Sequence, residues 1–255
     1  MSKSGPKPSV CIDAVLGDTP LETALSLVKS LSIPAFEFWC WWEKDMDALL
    51  NAKQANDLQI AACCTKFVSL VDPAKRANYL RGLEESIAAA QKLGCPTLIS
   101  QVGDALPNAE RKPQHQSLVD GLKDAAKLLE GTGITLVIEP LNVLVDHPGY
   151  YLVESEEAFQ IVEEVSSPSI KVVFDIYHQQ VSEGHVIHNL TKNIDKIGHF
   201  HAAGNPGRHE LDRGELSYPS IIEAIRTTNY EGYVGLEYWP LEAPESGLRR
   251  AASWF

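Results

Sequence analysis

Apolar and β-branched residues recur along the chain in short runs, and between the runs lie longer stretches with apolar spacings of three and four. The short runs predict strands at Val10–Ala14, Ala35–Phe38, Gln59–Thr65, Thr97–Val102, Thr135–Glu139, Lys171–Ile176, Ile197–Ala202 and Tyr233–Tyr238. The longer stretches predict helices, among them Leu21–Leu31, Ala74–Leu93, Gln116–Leu129, Ser155–Val165 and Pro219–Thr227. Ser155 ahead of Glu156 and Glu157 reads as an N-cap with an acidic first turn, and Gly94 with Pro96 beyond it reads as a helix stop. Eight strand–helix repeats in 255 residues are the arithmetic of an α/β protein built as a single (β/α)8 TIM barrel. A doubly wound open sheet is the rival, but neither GxGxxG nor GxxxxGK[ST] follows any of the strands. No linker divides the chain, and the Pro- and Gly-bearing patch at Asn205–Gly207 follows a strand as a βα loop does. Residues 1–255 therefore read as one domain.

Composition adds limits. At 44% hydrophobic and 22% charged residues the chain can build a core and is not a disordered segment. Thirty-four acidic against 22 basic residues leave a net charge of −12, which repels phosphate backbones and argues against nucleic-acid partners. A small anion remains possible as a substrate, because local cations can outweigh the global charge. No apolar stretch is long enough to span a bilayer, and the short polar start, Met1–Ser9, has no targeting pattern. Five cysteines without CxxC spacing read as buried free thiols of a reducing compartment, so a cytoplasmic protein is expected. A homo-oligomer is compatible with this composition.

Chemistry concentrates at the ends of four consecutive strands. Leu136-Val-Ile-Glu139, Val172-Val-Phe-Asp175, Gly198-His-Phe-His201 and Val234-Gly-Leu-Glu237 each finish in a side chain able to bind metal. Strand alternation turns Ile138, Phe174, Phe200 and Leu236 towards the helices and points Glu139, Asp175, His201 and Glu237 inward. Inward polar groups at one level are costly to bury unpaired. Three carboxylates and an imidazole suit one divalent ion such as Mn, Mg or Co, and the absence of an accompanying cysteine argues against a structural zinc site.

The segments Ile138-Glu-Pro-Leu-Asn142, Phe174-Asp-Ile-Tyr-His178 and Gly198-His-Phe-His-Ala-Ala-Gly-Asn-Pro-Gly-Arg-His-Glu210 resemble the hydroxypyruvate isomerase branch of the xylose-isomerase-like TIM barrels. Phe36-Glu-Phe-Trp39 and Gly235-Leu-Glu-Tyr238 fit the same pattern. The resemblance implies that Glu139, Asp175, His201 and Glu237 are the metal ligands, that Glu139 and Glu237 handle protons, and that His178 bonds a substrate oxygen. His201 stands where many of these isomerases carry Gln and the related ketose 3-epimerases carry His.

Further residues are candidates for holding substrate. Arg208, in the loop after the seventh strand, can clasp the carboxylate of a 2-oxo acid through paired hydrogen bonds. Lys66 after the third strand is a second candidate cation, and Gln101 lies near the end of the fourth. Trp39, with Trp41 and Trp42, can wall the pocket. Glu37 and His199 face inward and deeper, as hydrogen-bonding orienters of the ligands. The Lys44–Asp47 cluster reads as a solvated helix start.

The expected activity is a metal-dependent isomerisation of a small 2-oxo acid such as hydroxypyruvate, or of a 2-oxo sugar acid, through an enediolate. The second reading is a ketose 3-epimerase for a neutral free sugar of the D-tagatose or D-allulose type. A nuclease on the same scaffold needs a multi-zinc, His-rich site and a basic surface. A barrel that only binds sugar would tolerate loss of the two glutamates.

Overall fold

The computed structural model describes residues 5–255, so the part of the targeting expectation that rests on residues 1–4 lies outside the described residues. The strands are β1 (Lys7–Cys11), β2 (Ala35–Phe38), β3 (Gln59–Cys64), β4 (Thr97–Ser100), β5 (Thr135–Ile138), β6 (Ile170–Asp175), β7 (Ile197–Ala202) and β8 (Tyr233–Leu236). Each pairs in parallel with its neighbours in chain order, and β8 closes on β1 through the register Lys7↔Tyr233 to Val10↔Leu236. The helices are α1 (Ile12–Val15), α2 (Leu21–Ser30), α3 (Met46–Ala55), α4 (Arg76–Leu93), α5 (Arg111–Leu129), α6 (Ser155–Val165), α7 (Ile176–Ser182), α8 (Val186–Lys192), α9 (Tyr218–Arg226) and α10 (Pro244–Ala252). None is long and apolar enough to cross a membrane.

Alternation along the strands divides the apolar residues between two cores. Ile138, Phe174, Phe200 and Leu236 join the large core between strands and helices. Phe174 lies parallel to Phe159 of α6 at 6.5 Å and edge-on to Phe200 at 6.1 Å. Inside the barrel a small cluster of Ala62, Cys64, Ile99, Val137 and Val173 forms an apolar layer.

Several boundaries differ from expectation: α5 begins at Arg111 rather than Gln116, β4 ends at Ser100 rather than Val102, and β8 ends at Leu236 rather than Tyr238. The first strand was expected at Val10–Ala14. It starts at Lys7 because pairing with β8 begins there, and it gives way to α1 after Cys11. Ser155 is the first residue of α6 rather than its cap, since its hydroxyl is engaged by the Glu183 carboxylate of a neighbouring segment. Gly94 ends α4 in the left-handed region, at φ 64° and ψ 39°, as its position predicts. The five cysteines are free thiols, all buried but Cys40.

Candidate active site and metal centre

Glu139 and Glu237 lie one residue beyond the ends of β5 and β8, yet their backbones continue the ladder. Glu139 N–H donates to Ser100 O at 3.3 Å, and Glu237 N–H to Ala202 O at 3.0 Å. Their side chains keep the inward phase of the strands. Asp175 ends β6 and serves as N-cap of α7, its Oδ1 accepting from the N–H groups of Tyr177 (2.8 Å) and His178 (3.1 Å). Capping fixes χ1, which leaves Oδ2 for the barrel interior. His201 stands opposite Asp175 in the β6–β7 register.

The four side chains converge. One donor atom from each of Glu139, Asp175, His201 and Glu237 lies within 4.8 Å of the others, and all four residues are buried. Ligand bonds of about 2.0–2.3 Å put donors on opposite sides of an ion about 4.0–4.6 Å apart, so the set can close on one ion with little movement. Three oxygens and a nitrogen are a donor set that suits a divalent cation.

The imidazole of His201 is held from two levels. Its Nδ1 faces Glu139 Oε1 at 3.3 Å and Glu237 Oε2 at 3.5 Å, while Nε2 lies 2.9 Å from Glu37 Oε1. Glu37 Oε2 also takes the hydroxyl of Ser9 and the Nε2 of His199 at 3.0 Å. Glu37, His199 and His201 are themselves close enough to hold a metal, but the Glu37 carboxylate already pairs with both imidazoles. They serve better as the shell that orients His201. Space for the Glu37 carboxylate comes from Gly235, where a Cβ would lie 2.2 Å from Glu37 Oε1.

Charge follows this geometry. Burial opposes ionisation of Glu139, but the hydrogen bond and charge of His201 outweigh it and hold the carboxyl at about 2. Burial also penalises the charged form of His201, and Glu237 and Glu37 overcome it, raising the imidazole well above its ordinary range. Asp175 is pushed up by burial, which Arg208 only partly offsets. Burial, reinforced by Arg208, drives His178 down to about 3. His178 is thus neutral at physiological pH. Its Nδ1 meets the Asn142 amide nitrogen at 2.7 Å, and its buried Nε2 has no hydrogen-bond partner among the described residues.

The substrate-binding candidates separate. Trp39 Nε1 donates to Glu237 Oε1 at 2.7 Å, and Gln101 Nε2 donates to Glu139 Oε2 at 3.2 Å, so each glutamate has an outer partner. Arg208 is not a solvated loop residue. Its guanidinium bridges Glu237 and Asp175 (3.4 Å to Asp175 Oδ2) and packs over Trp239 at 4.9 Å and Tyr177 at 5.3 Å. Its buried Nε has no acceptor among the described residues. Lys66 points elsewhere: its stem packs on Gly82 of α4, its ammonium pairs with Glu85, and Trp41 lies beneath it at 5.6 Å. Trp41 and Trp42 do not wall the cavity. Trp41 Nε1 bonds Ser86 at 3.2 Å, and Trp42 packs edge-on to Phe67 at 5.3 Å.

Some participants carry no period or spacing signal. Asp13 accepts from the Trp39 backbone N–H at 2.8 Å and from Lys44 at 2.6 Å, which fixes the start of the loop after β2. Trp239 and Tyr177 sandwich Arg208. Asn142, the partner of His178, closes the segment Ile138-Glu-Pro-Leu-Asn142, where its presence is the available clue. Above these groups opens a cavity of about 850 Å³, bordered by Glu139, His178, Arg208 and Glu237 at its floor.

Comparison with known proteins gives a consistent picture. Residues 25–255 match the xylose isomerase-like TIM barrel family. The chain is 34% identical over 177 residues to a hydroxypyruvate isomerase of Escherichia coli (strain K12), covering 69% of this chain and 68% of that protein. It is 35% identical over 176 residues to a 2-oxo-tetronate isomerase of Cupriavidus necator, covering 69% and 67%. The crystal structure of an AP endonuclease, family 2, from Brucella melitensis superposes with a TM-score of 0.90 at 26% identity, over 97% of this chain and 98% of that one. An L-ribulose 3-epimerase shares the fold, with a TM-score of 0.81 at 16% identity over 98% and 93%.

Proposed function

The chain belongs to the xylose isomerase-like TIM-barrel family as an isomerase or epimerase, and from that premise we propose that it moves a carbonyl along a small 2-oxo acid, hydroxypyruvate or a 2-oxo sugar acid, by proton transfer between adjacent carbons. The observation that carries this reading is the convergence of Glu139 and Glu237, from strands on different sides of the ring, on one imidazole and one aspartate.

Carbonyl migration needs a base to take a proton from the carbon beside the carbonyl and an acid to return one to its neighbour. Glu139 and Glu237 fit these two parts. Gln101 and Trp39 each donate to one outer oxygen and so fix the remaining oxygen's direction. Glu139, Asp175, His201 and Glu237 would hold a divalent ion such as Mn, Mg or Co, which would supply Lewis-acid stabilisation of the negative charge developing on an enediolate. His178, neutral and with an Nε2 that makes no hydrogen bond among the described residues and lies 3.6 Å from Asp175 Oδ2, offers a hydrogen bond to a substrate oxygen without adding charge. Arg208 presents its unpaired Nε to an anionic group. Trp39 and Trp239, 6.3 Å apart, cover one side and limit water.

A ketose 3-epimerase for a neutral sugar is the second reading. It is favoured by one observation, that Arg208 already spends one guanidinium nitrogen, Nη2, on both Asp175 and Glu237. The test is to incubate metal-loaded protein with hydroxypyruvate, a 2-oxo-tetronate, D-fructose and D-tagatose and to follow products by NMR. Turnover of the oxo acids upholds the proposal. Turnover of the free ketoses alone replaces it with the epimerase.

A further inference from the structure

The cavity is larger than a three- or four-carbon acid requires. Its 850 Å³ lies towards the upper end of the range for small-molecule sites, and hydroxypyruvate or a tetronate would fill only the part above Glu139 and Glu237. The remainder runs outward along the loops after β3 and β4, past Phe67, Ser69, Lys75, Asp104 and Leu106.

Those loops form a built wall. Leu70 N–H donates to Val102 O at 2.9 Å, Tyr151 N–H to Gly103 O at 3.1 Å, and Ala105 N–H to Gly149 O at 2.9 Å. Gly103, at φ 98°, lets its backbone press against Ser69, where a Cβ would lie 2.4 Å from the hydroxyl oxygen. Leu106 N–H is held by Gln114 Oε1 at 2.7 Å. The segments after β3, β4 and β5 are therefore fixed to one another.

The chemistry of this wall is mixed. Phe67 is 58% exposed and, with Trp42 packed edge-on to it at 5.3 Å, borders the cavity with the rest of its ring. Lys75 and Asp104 are exposed, line the cavity and make no ion pair among the described residues. An anionic tail would gain from Lys75 but confront Asp104. An apolar tail would strip water from both charges without replacing it. A sugar ring meets all the demands together, with a C–H face for the phenyl ring and hydroxyls that donate to Asp104 and accept from Lys75 and Ser69.

We propose that the outer part of the cavity is a sugar-ring subsite, so that of the oxo acids this site can take, a 2-oxo sugar acid bearing a sugar ring beyond its reacting carbons is held better than hydroxypyruvate. This rests on the reading that the reacting end lies over Glu139 and Glu237. The subsite can be judged separately, through binding of unreactive ligands.

The experiment compares gluconate with maltobionate, which is gluconate bearing a glucosyl ring, by calorimetry on manganese-loaded protein. Maltobionate is expected to bind about five- to ten-fold more tightly, the scale of one good aromatic contact. The gain should vanish in Phe67→Ala and shrink in Lys75→Ala, while gluconate binding stays unchanged in both. Both side chains are exposed, so the fold should tolerate their loss. Equal affinities, or a gain that survives Phe67→Ala, would overturn the subsite. Gluconate that fails to bind counts against the acid reading of the inner site alone. The subsite is then judged on maltobionate, whose binding must still be lost in Phe67→Ala. No binding of maltobionate overturns it.

Discussion

Glu139 and Glu237 sit in the same cluster but have different neighbours, and substitution should expose their shared work. Glu139→Gln and Glu237→Gln keep the side-chain size and a carbonyl oxygen, so fold and partial metal occupancy should survive, while turnover falls by at least roughly 10²-fold. A variant that remains folded and metal-loaded yet turns over at the wild-type rate would remove the two-glutamate mechanism. Glu37 acts at one remove. Its carboxylate accepts from Ser9 and His199 and lies against His201, and a Gln there would bring an N–H2 group against one of these donors. Glu37→Gln is expected to weaken manganese binding roughly ten- to a hundred-fold, as loss of a partner behind a metal ligand does. Calorimetry reads this directly, and unchanged affinity would make Glu37 a packing residue.

Elements bring these residues together through their ends. Asp175 joins β6 to α7 and divides its two oxygens, Oδ1 capping the helix and Oδ2 facing the site. Two substitutions separate the duties. Asp175→Asn keeps a capping oxygen but turns an N–H2 group towards Arg208, and should lose metal affinity while retaining the cap's share of stability. Asp175→Ala should lose metal affinity and in addition about 1 kcal/mol of stability through the missing cap. Denaturant unfolding of the two variants without metal tests this, and equal stabilities would show that the cap contributes nothing. Asp45 shows how much of an element's end is local. The Lys44–Asp47 cluster is a helix start, and Asp45 Oδ1 accepts from Asp47 and Ala48 at 3.0 Å each. Gly94 likewise stops α4 with no distant partner needed.

At the scale of the whole molecule, the barrel gathers three carboxylates into one buried cluster, and the cost of that gathering depends on what neutralises them. His201 and Arg208 bear part of it. A divalent ion that binds only the folded barrel should stabilise it by about 2.7 kcal/mol at a hundred times its Kd. Chelation should then lower Tm by roughly 5–10 °C for a chain of this length. Scanning fluorimetry with and without EDTA, then with Mn, Mg, Co or Zn restored, checks it. A Tm indifferent to all of them would contradict the four-ligand centre.

The barrel and the inward phase of Glu139, Asp175, His201 and Glu237 were legible in the chain itself, because both rest on local periods. Two-residue alternation assigns Phe174 to the helices and Asp175 to the interior without reference to any other strand, and the C-terminal strand ends of such a barrel are where its chemistry lies. Where the side chains after the strands point is another matter. Lys66 turns onto α4 because Gly82 leaves room for its stem and Glu85 takes its charge. Arg208 folds inward between Trp239 and Tyr177 to reach Glu237 and Asp175. Trp39 meets Glu237 across 198 positions of chain. Such contacts join segments that no period connects, so only closure of β8 on β1 and the packing of the loops above it decided them.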